Sequence, residues 1–265
     1  MGARRRDGHG RANDSRQGAS AGVHAHRALA ACDTDPGGLR DAALLSLDYD
    51  TGLRAAELVR VAVEQIAASE VEDGSGTLFI PTSKTDQFGE GTHAWISPET
   101  MRRIDAWLAA ADVSTGPVFR RVAVRRCKGR PERPPARIAL LAPNARMTEE
   151  RLYGRKAVPA RTTYAIGEYV LTPAAVRLII KRTASRAADL GLVELYGSNL
   201  DAAIAALSTH SLRVGLTQDL FASGEDAGPI AQALRWSSTA IALRYGRALA
   251  RTSNATARML KSVRR

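Results

Sequence analysis

Residues 51–58 read TGLRAAEL, a helix stop followed at once by a helix start. Gly52 after Thr51 supplies the residue that most easily enters the left-handed conformation closing a helix. Upstream, LRDAALLSLDYDTG (39–52) sets Leu39, Ala43, Leu44 and Leu47 on one helical stripe. Downstream, LRAAELVRVAVEQI (53–66) predicts a second helix with Leu53, Leu58 and Val61 inward, passing into a strand near 63–66. Arg54 stands at the start of that second helix, one turn before Glu57. A cation at a helix N-terminus opposes the helix dipole. Arg54 is therefore placed either for an anion or as half of a surface pair with Glu57.

Further along, TLFIP (77–81) and HAWIS (93–97) are short apolar runs joined by TSKTDQFGEG, and they predict a β-hairpin whose turn carries Lys84. Ser97-Pro98 then opens a capped helix reaching about residue 112. RRVAVRRCKGRPERPPAR (120–137) holds eight Lys or Arg against one Glu, with three prolines, and is expected to be a loop or extended arm. Residues 138–170 suggest no assignment. Thr172-Pro173 starts another helix that Gly191 stops, and three short helices follow at about 208–223, 226–235 and 238–250. Residues 1–38, rich in Gly, Ala, Arg, Ser and Asp without apolar periodicity, read as a flexible basic tail or linker. The fold class is mainly α with a small antiparallel β-hairpin, α+β, with one folded domain expected over 39–265 and an inserted basic loop at about 120–170.

The whole chain has 265 residues, 45% of them hydrophobic, so a sizeable core can form. Its net charge of +11 favours polyanions, of which nucleic acid is the commonest. No apolar run approaches the roughly 18 residues of a membrane-spanning helix, and the N-terminus has no apolar signal region. Cys32 and Cys127 stand far apart, a pattern of a reducing compartment and of no structural zinc. GASAG (18–22) matches a serine-nucleophile elbow but has no preceding strand, and no phosphate-binding GxxxxGK[ST] occurs.

THSLRVG (209–215) puts His210 and Arg213 three apart behind Ser208-Thr209, a plausible N-cap, so both fall near the positive end of a helix. His, Arg and a helix N-terminus together suit an oxyanion or phosphate. LRWSSTAIALRYGR (234–247) then brings Trp236 and Tyr245 nine residues apart, with Arg244 and Arg247 beside the tyrosine. Each motif alone also has an ordinary structural reading. In order, TGLRAAEL, SKTD, HSLR, LRWSS and LRYGR resemble the tyrosine recombinases of the phage-integrase family, over about residues 39–250.

That resemblance implies the tyrosine-recombinase catalytic-domain fold and a site made of Arg54, Lys84, His210, Arg213, Trp236 and Tyr245. Tyr245 would attack a DNA phosphate and form a 3′-phosphotyrosyl intermediate, with no metal and no cofactor. Arg54 and Arg213 would hold the non-bridging oxygens. His210 would assist proton movement, Trp236 would offer its indole N–H and pack on the tyrosine helix, and Lys84 would protonate the leaving 5′ oxygen. The implied partners are double-stranded DNA, a homotetramer on that DNA with the C-terminal tail docking on a neighbour, and DNA-bending accessory proteins. The implied location is the cytoplasm, at the nucleoid. The resemblance also implies an N-terminal clamp domain, which, with 38 residues ahead of the catalytic pattern, is expected to be absent or truncated. A decayed or accessory DNA-binding protein is the alternative reading, and a type IB topoisomerase is a third that uses the same chemistry.

Overall fold

A computed structural model of the chain describes residues 25–81, 91–137 and 144–246. The GASAG stretch, Lys84, Arg247 and the C-terminal tail lie outside the described residues. The chain divides into two units: one formed by the segments up to Arg120 and from Glu168 onward, the other by Arg121–Gly167.

The larger unit is built on two capped helices. Helix α1 (Ala25–Ala30) precedes α2 (Pro36–Thr51), whose N-cap Asp35 accepts a hydrogen bond from the Gly38 N–H at 2.8 Å. Gly52 ends α2 at φ 54, the left-handed cap the sequence predicts. The chain then makes a single-turn helix, α3 (Ala55–Leu58), a 3-10 turn at Val63–Gln65, and strand β1 (Ile66–Ala68). The second helix expected from Leu53 is therefore cut to one turn, and the strand expected near 63–66 begins at Ile66. The backbone between them is drawn elsewhere: Val63 N–H donates to Gly116 O at 2.9 Å, and Val118 N–H to Val61 O at 2.9 Å. Tertiary pairing of a valine-rich stretch overrides its helical periodicity.

Strands β1, β2 (Gly76–Ile80) and β3 (Thr92–Ile96) form an antiparallel sheet in that order, with Leu78 opposite both Ile66 and Ala94. Period-two alternation turns Leu78, Ile80, Ala94 and Ile96 inward and leaves Phe79 and Trp95 exposed. Helix α4 (Pro98–Ala111) starts at Ser97, whose Oγ accepts from the Thr100 N–H at 3.2 Å, and packs against α2. Leu44, Leu47, Leu53, Leu58, Ile104 and Trp107 make the buried centre, and the Trp107 indole N–H donates to Val118 O at 2.8 Å.

Helix α6 (Pro173–Asp189) is capped by Thr172, which accepts from the Ala175 N–H at 3.1 Å. Helix α1 lies on α6, and Ala31, Ala187 and Val193 close over one another. Residues 25–38, expected as part of the tail, thus carry α1 and the first turn of α2, because small apolar side chains give them a surface to cover. After α7 (Gly197–Ala206), which sequence periodicity did not reveal, come α8 (Ser211–Ser223), α9 (Ala227–Ala233) and α10 (Thr239–Gly246). These last three meet in a cluster of Ile230, Leu234 and Ala242, with Leu220, Phe221 and Trp236 packed against it.

In the smaller unit, β4 (Arg120–Cys127) pairs with β5 (Arg161–Val170), and α5 (Glu149–Tyr153) lies between them in sequence. The stretch 120–137, expected to be a loop or extended arm, is an extended strand in its first half. Among the described residues, no helix is long and apolar enough to cross a membrane. The architecture is α+β, mainly helical with small antiparallel sheets.

Candidate active site

Tyr245 sits on α10 one residue before Gly246, and that glycine lets the helix approach α8. A Cβ at Gly246 would stand 2.9 Å from the Phe221 ring. The close packing sets the tyrosine ring over Trp236, with centroids 5.5 Å apart and planes 21° from parallel. His210 Nε2 lies 3.0 Å from the Tyr245 hydroxyl, and either atom can be the donor, depending on the imidazole tautomer. His210 is the N-cap of α8, so the helix begins at Ser211, one to two residues later than a Ser208 or Thr209 cap would start it.

Arg213, one turn into α8, is buried at 2% exposure. Its guanidinium donates to Gly52 O at 2.5 Å and to Leu234 O, tying the end of α2 to the end of α9. It also lies 5.2 Å from the centre of the Trp236 ring. His210, Arg213, Trp236 and Tyr245 are therefore brought together by contact.

Arg54 is reached through a carboxylate. Glu57 accepts from the Arg54 guanidinium at 2.7 Å and from the Arg54 backbone N–H at 3.0 Å. The same carboxylate faces Arg235 at 3.6 Å, and Arg235 donates to Thr51 O at 3.3 Å. Of the two sequence readings of Arg54, the pairing with Glu57 is thus formed, in a half-buried setting. A cleft of about 530 Å³ opens beside this pair, bordered by Arg54, Glu57, Arg60 and the end of β2 at Ile80 and Pro81. Lys84, in the hairpin turn, lies outside the described residues. Arg244, beside the tyrosine, is exposed.

Sequence reasoning passed over two charged residues here. Arg235, within the quoted LRWSS motif, occupies left-handed backbone at φ 54, and no local signal marks a non-glycine residue for that conformation. Asp48 lies fully inside α2, and neither carboxylate oxygen has a hydrogen-bond partner. Burial pushes its carboxyl up to about 8, against the opposing pull of Arg213. Burial likewise brings the Arg213 guanidinium down to about 10, helped by Arg235 and Arg54 and resisted by Glu57 and Asp48. Three guanidinium groups and two carboxyl groups, Glu57 and Asp48, therefore share one partly dry region.

The fold is that of a tyrosine-recombinase catalytic domain. A crystal structure of XerA recombinase overlays at a TM-score of 0.51 with 13% identity, covering 100% of this chain and 67% of that one. The XerH site-specific recombinase bound to palindromic difH substrate, in a post-cleavage complex, gives 0.49 at 15% identity over 86% of this chain. The chain spans 50% of the length of that XerH structure. No curated protein sequence matches it. Its sequence matches the Phage integrase family over residues 23–251, and the chain belongs to that family.

Proposed function

We propose that this chain is a DNA strand transferase whose nucleophile is Tyr245. One observation carries the reading: the 3.0 Å approach of His210 Nε2 to the Tyr245 hydroxyl, on a ring stacked on Trp236. A neutral imidazole with a free Nε2 lone pair accepts the phenolic proton as the oxygen attacks phosphorus. The Tyr O–P bond forms and the P–O5′ bond breaks. The electron pair leaves on the 5′ oxygen, which takes up a proton from Lys84, and the phosphate stays on the 3′ side as a phosphotyrosine. Because the ester keeps the bond energy, a 5′ hydroxyl from a second strand reverses the step without ATP or metal. Arg54 and Arg213 neutralise the non-bridging oxygens as charge gathers there. Exchange between two duplexes calls for two chains on each, hence a tetramer on DNA, with accessory proteins bending the sites together.

A second reading is favoured by Arg213, whose guanidinium is buried against the Gly52 and Leu234 carbonyls. A family member with that arginine committed to backbone would bind DNA without cutting it. The deciding experiment incubates the purified chain with nicked duplexes drawn from its genomic neighbourhood and looks for a covalent protein–DNA band on a denaturing gel. The enzyme reading expects a band with wild type and none with Tyr245→Phe. Salt-sensitive binding with no band would instead establish the accessory reading.

A further inference from the structure

The chain's positive charge is concentrated in one place. Arg121–Gly167 holds twelve Lys or Arg and three Glu, a net +9, which leaves +2 for all the other residues of a +11 chain. Among the described residues of this unit one ion pair forms, Arg155 with Glu150 at 2.5 Å. Charge of this density without matching carboxylates is self-repelling, and a polyanion relieves it.

The β-ribbon sorts this charge by face. Alternation along β4 puts Arg121, Ala123 and Arg125 on one side and Val122, Val124 and Arg126 on the other. A side chain at Gly167 would stand 3.6 Å from Arg121 Cβ, so Gly167 shares the first side, and alternation along β5 adds Ala165, Thr163 and Arg161. Arg121, Arg125 and Arg161 are all exposed. On the opposite side, Val122, Tyr164 and Ile166 are half-buried. One face thus combines the half-buried Val122, Tyr164 and Ile166 with the exposed Val124 and Arg126, and the other offers three guanidinium groups separated only by small side chains. Beyond the strands, paired backbone bonds of Arg130 with Val158 and of Arg133 with Arg155, at 2.7 to 2.8 Å, carry the two chains onward together. From Arg121 to Arg133 the ribbon can reach at most about 40 Å, roughly the rise of one turn of B-DNA.

We infer that the Arg121, Arg125 and Arg161 face of this ribbon is a second DNA-binding surface that grips the phosphate backbone of a duplex without reading its sequence. The Ala, Gly and Thr positions between the arginines let the ribbon lie close to the backbone, and they supply no base-edge donors of the length needed for sequence readout. The same lack of aromatic or long aliphatic side chains gives the face nothing to insert into a bilayer. The inference rests on the proposed function only for the identity of the polyanion, duplex DNA.

The test measures the affinity of the full chain for a duplex across a salt series, for wild type, for Arg121→Gln/Arg125→Gln/Arg161→Gln, and for the corresponding triple Lys variant. Losing three phosphate contacts should make the log–log salt slope shallower by about 2.7 and weaken low-salt binding by about tenfold or more. The Lys variant keeps the charge and should keep the wild-type slope. Unchanged melting temperatures separate these effects from misfolding. A Gln variant with the wild-type slope overturns the inference. So does tighter binding of double-stranded RNA or anionic phosphatidylserine vesicles through the same three residues. The covalent band of the previous experiment reports independently: a shallower slope without a band leaves the grip and removes the enzyme, and a band with an unchanged slope does the reverse.

Discussion

Asp48 is a carboxyl group buried in α2 with no hydrogen-bond partner, six residues before Arg54 in the chain and close enough to Arg213 to be affected by its charge. Burial raises it to about 8, whereas an unfolded aspartate titrates near 3.9. Between those two values the folded chain keeps a proton that the unfolded chain has released. Stability therefore falls as pH rises, by up to about 1.4 kcal/mol per pH unit. The side chain costs nothing extra below pH ~4 and most above about 8. Asp48→Asn, neutral at every pH, should flatten the melting temperature between pH 5 and 8 and exceed wild type above 8. A variant whose pH profile parallels wild type would place the titration elsewhere. Nothing in LSLDYD distinguishes Asp48 from Asp50, since both are acids near a helix end, and only the packing around α2 separates them. Arg235 was hidden for a related reason: a left-handed arginine is imposed by tertiary contacts, here with Glu57 and the Thr51 carbonyl, which have no local signature.

Among elements, those announced by local chemistry were legible. Ser97, Thr172 and Gly52 each sit where a cap is needed and make the cap bond. The three chemistry-bearing motifs at the chain's end fall on α8, the α9–α10 link and α10, because each is tied to a short amphipathic run. Elements that depend on partners were not legible. Strand β4 carries arginine at four of its eight positions, so its β-branched valines were outweighed by charge. The segment after α3 gave a helical period that the Gly116 and Val118 pairing cancels. Gly52 shows how far one cap reaches. Its φ is 54, a Cβ there would lie 2.4 Å from Leu234 Cδ2, and its carbonyl receives Arg213. Gly52→Ala must accept left-handed strain and push Leu234 out of the α8–α10 cluster, at an expected cost of about 2 kcal/mol or more in chemical denaturation. It should weaken covalent-complex formation as well, since both Arg213 anchors shift. A loss well under 1 kcal/mol would mean that the turn relaxes without disturbing the site.

At the scale of the molecule, the chain leaves the larger unit and returns to it at one point. Leu171 N–H donates to Phe119 O at 3.1 Å, and Val118, Phe119 and Leu171 are all buried. Everything between is inserted into a core that is already closed across its base. Replacing Val122–Ile166 by a two-residue Asn-Gly turn should therefore spare the larger unit, because Arg121 and Gly167 already lie side by side and such a turn suits an antiparallel pair. The charge follows the same division. The residues removed carry +8 of the chain's +11, so the shortened protein keeps about +3. Its expected behaviour is a single cooperative unfolding transition within about 1 kcal/mol of wild type, since loop shortening changes closure entropy only slowly. Its DNA affinity should fall with a much shallower salt slope, while wild-type covalent chemistry, if His210 and Tyr245 carry it, persists at saturating DNA. Loss of cooperative folding would show instead that the two units depend on each other for stability. Loss of the covalent band in a folded, DNA-saturated protein would make the ribbon part of the cleaving machinery and not an added grip.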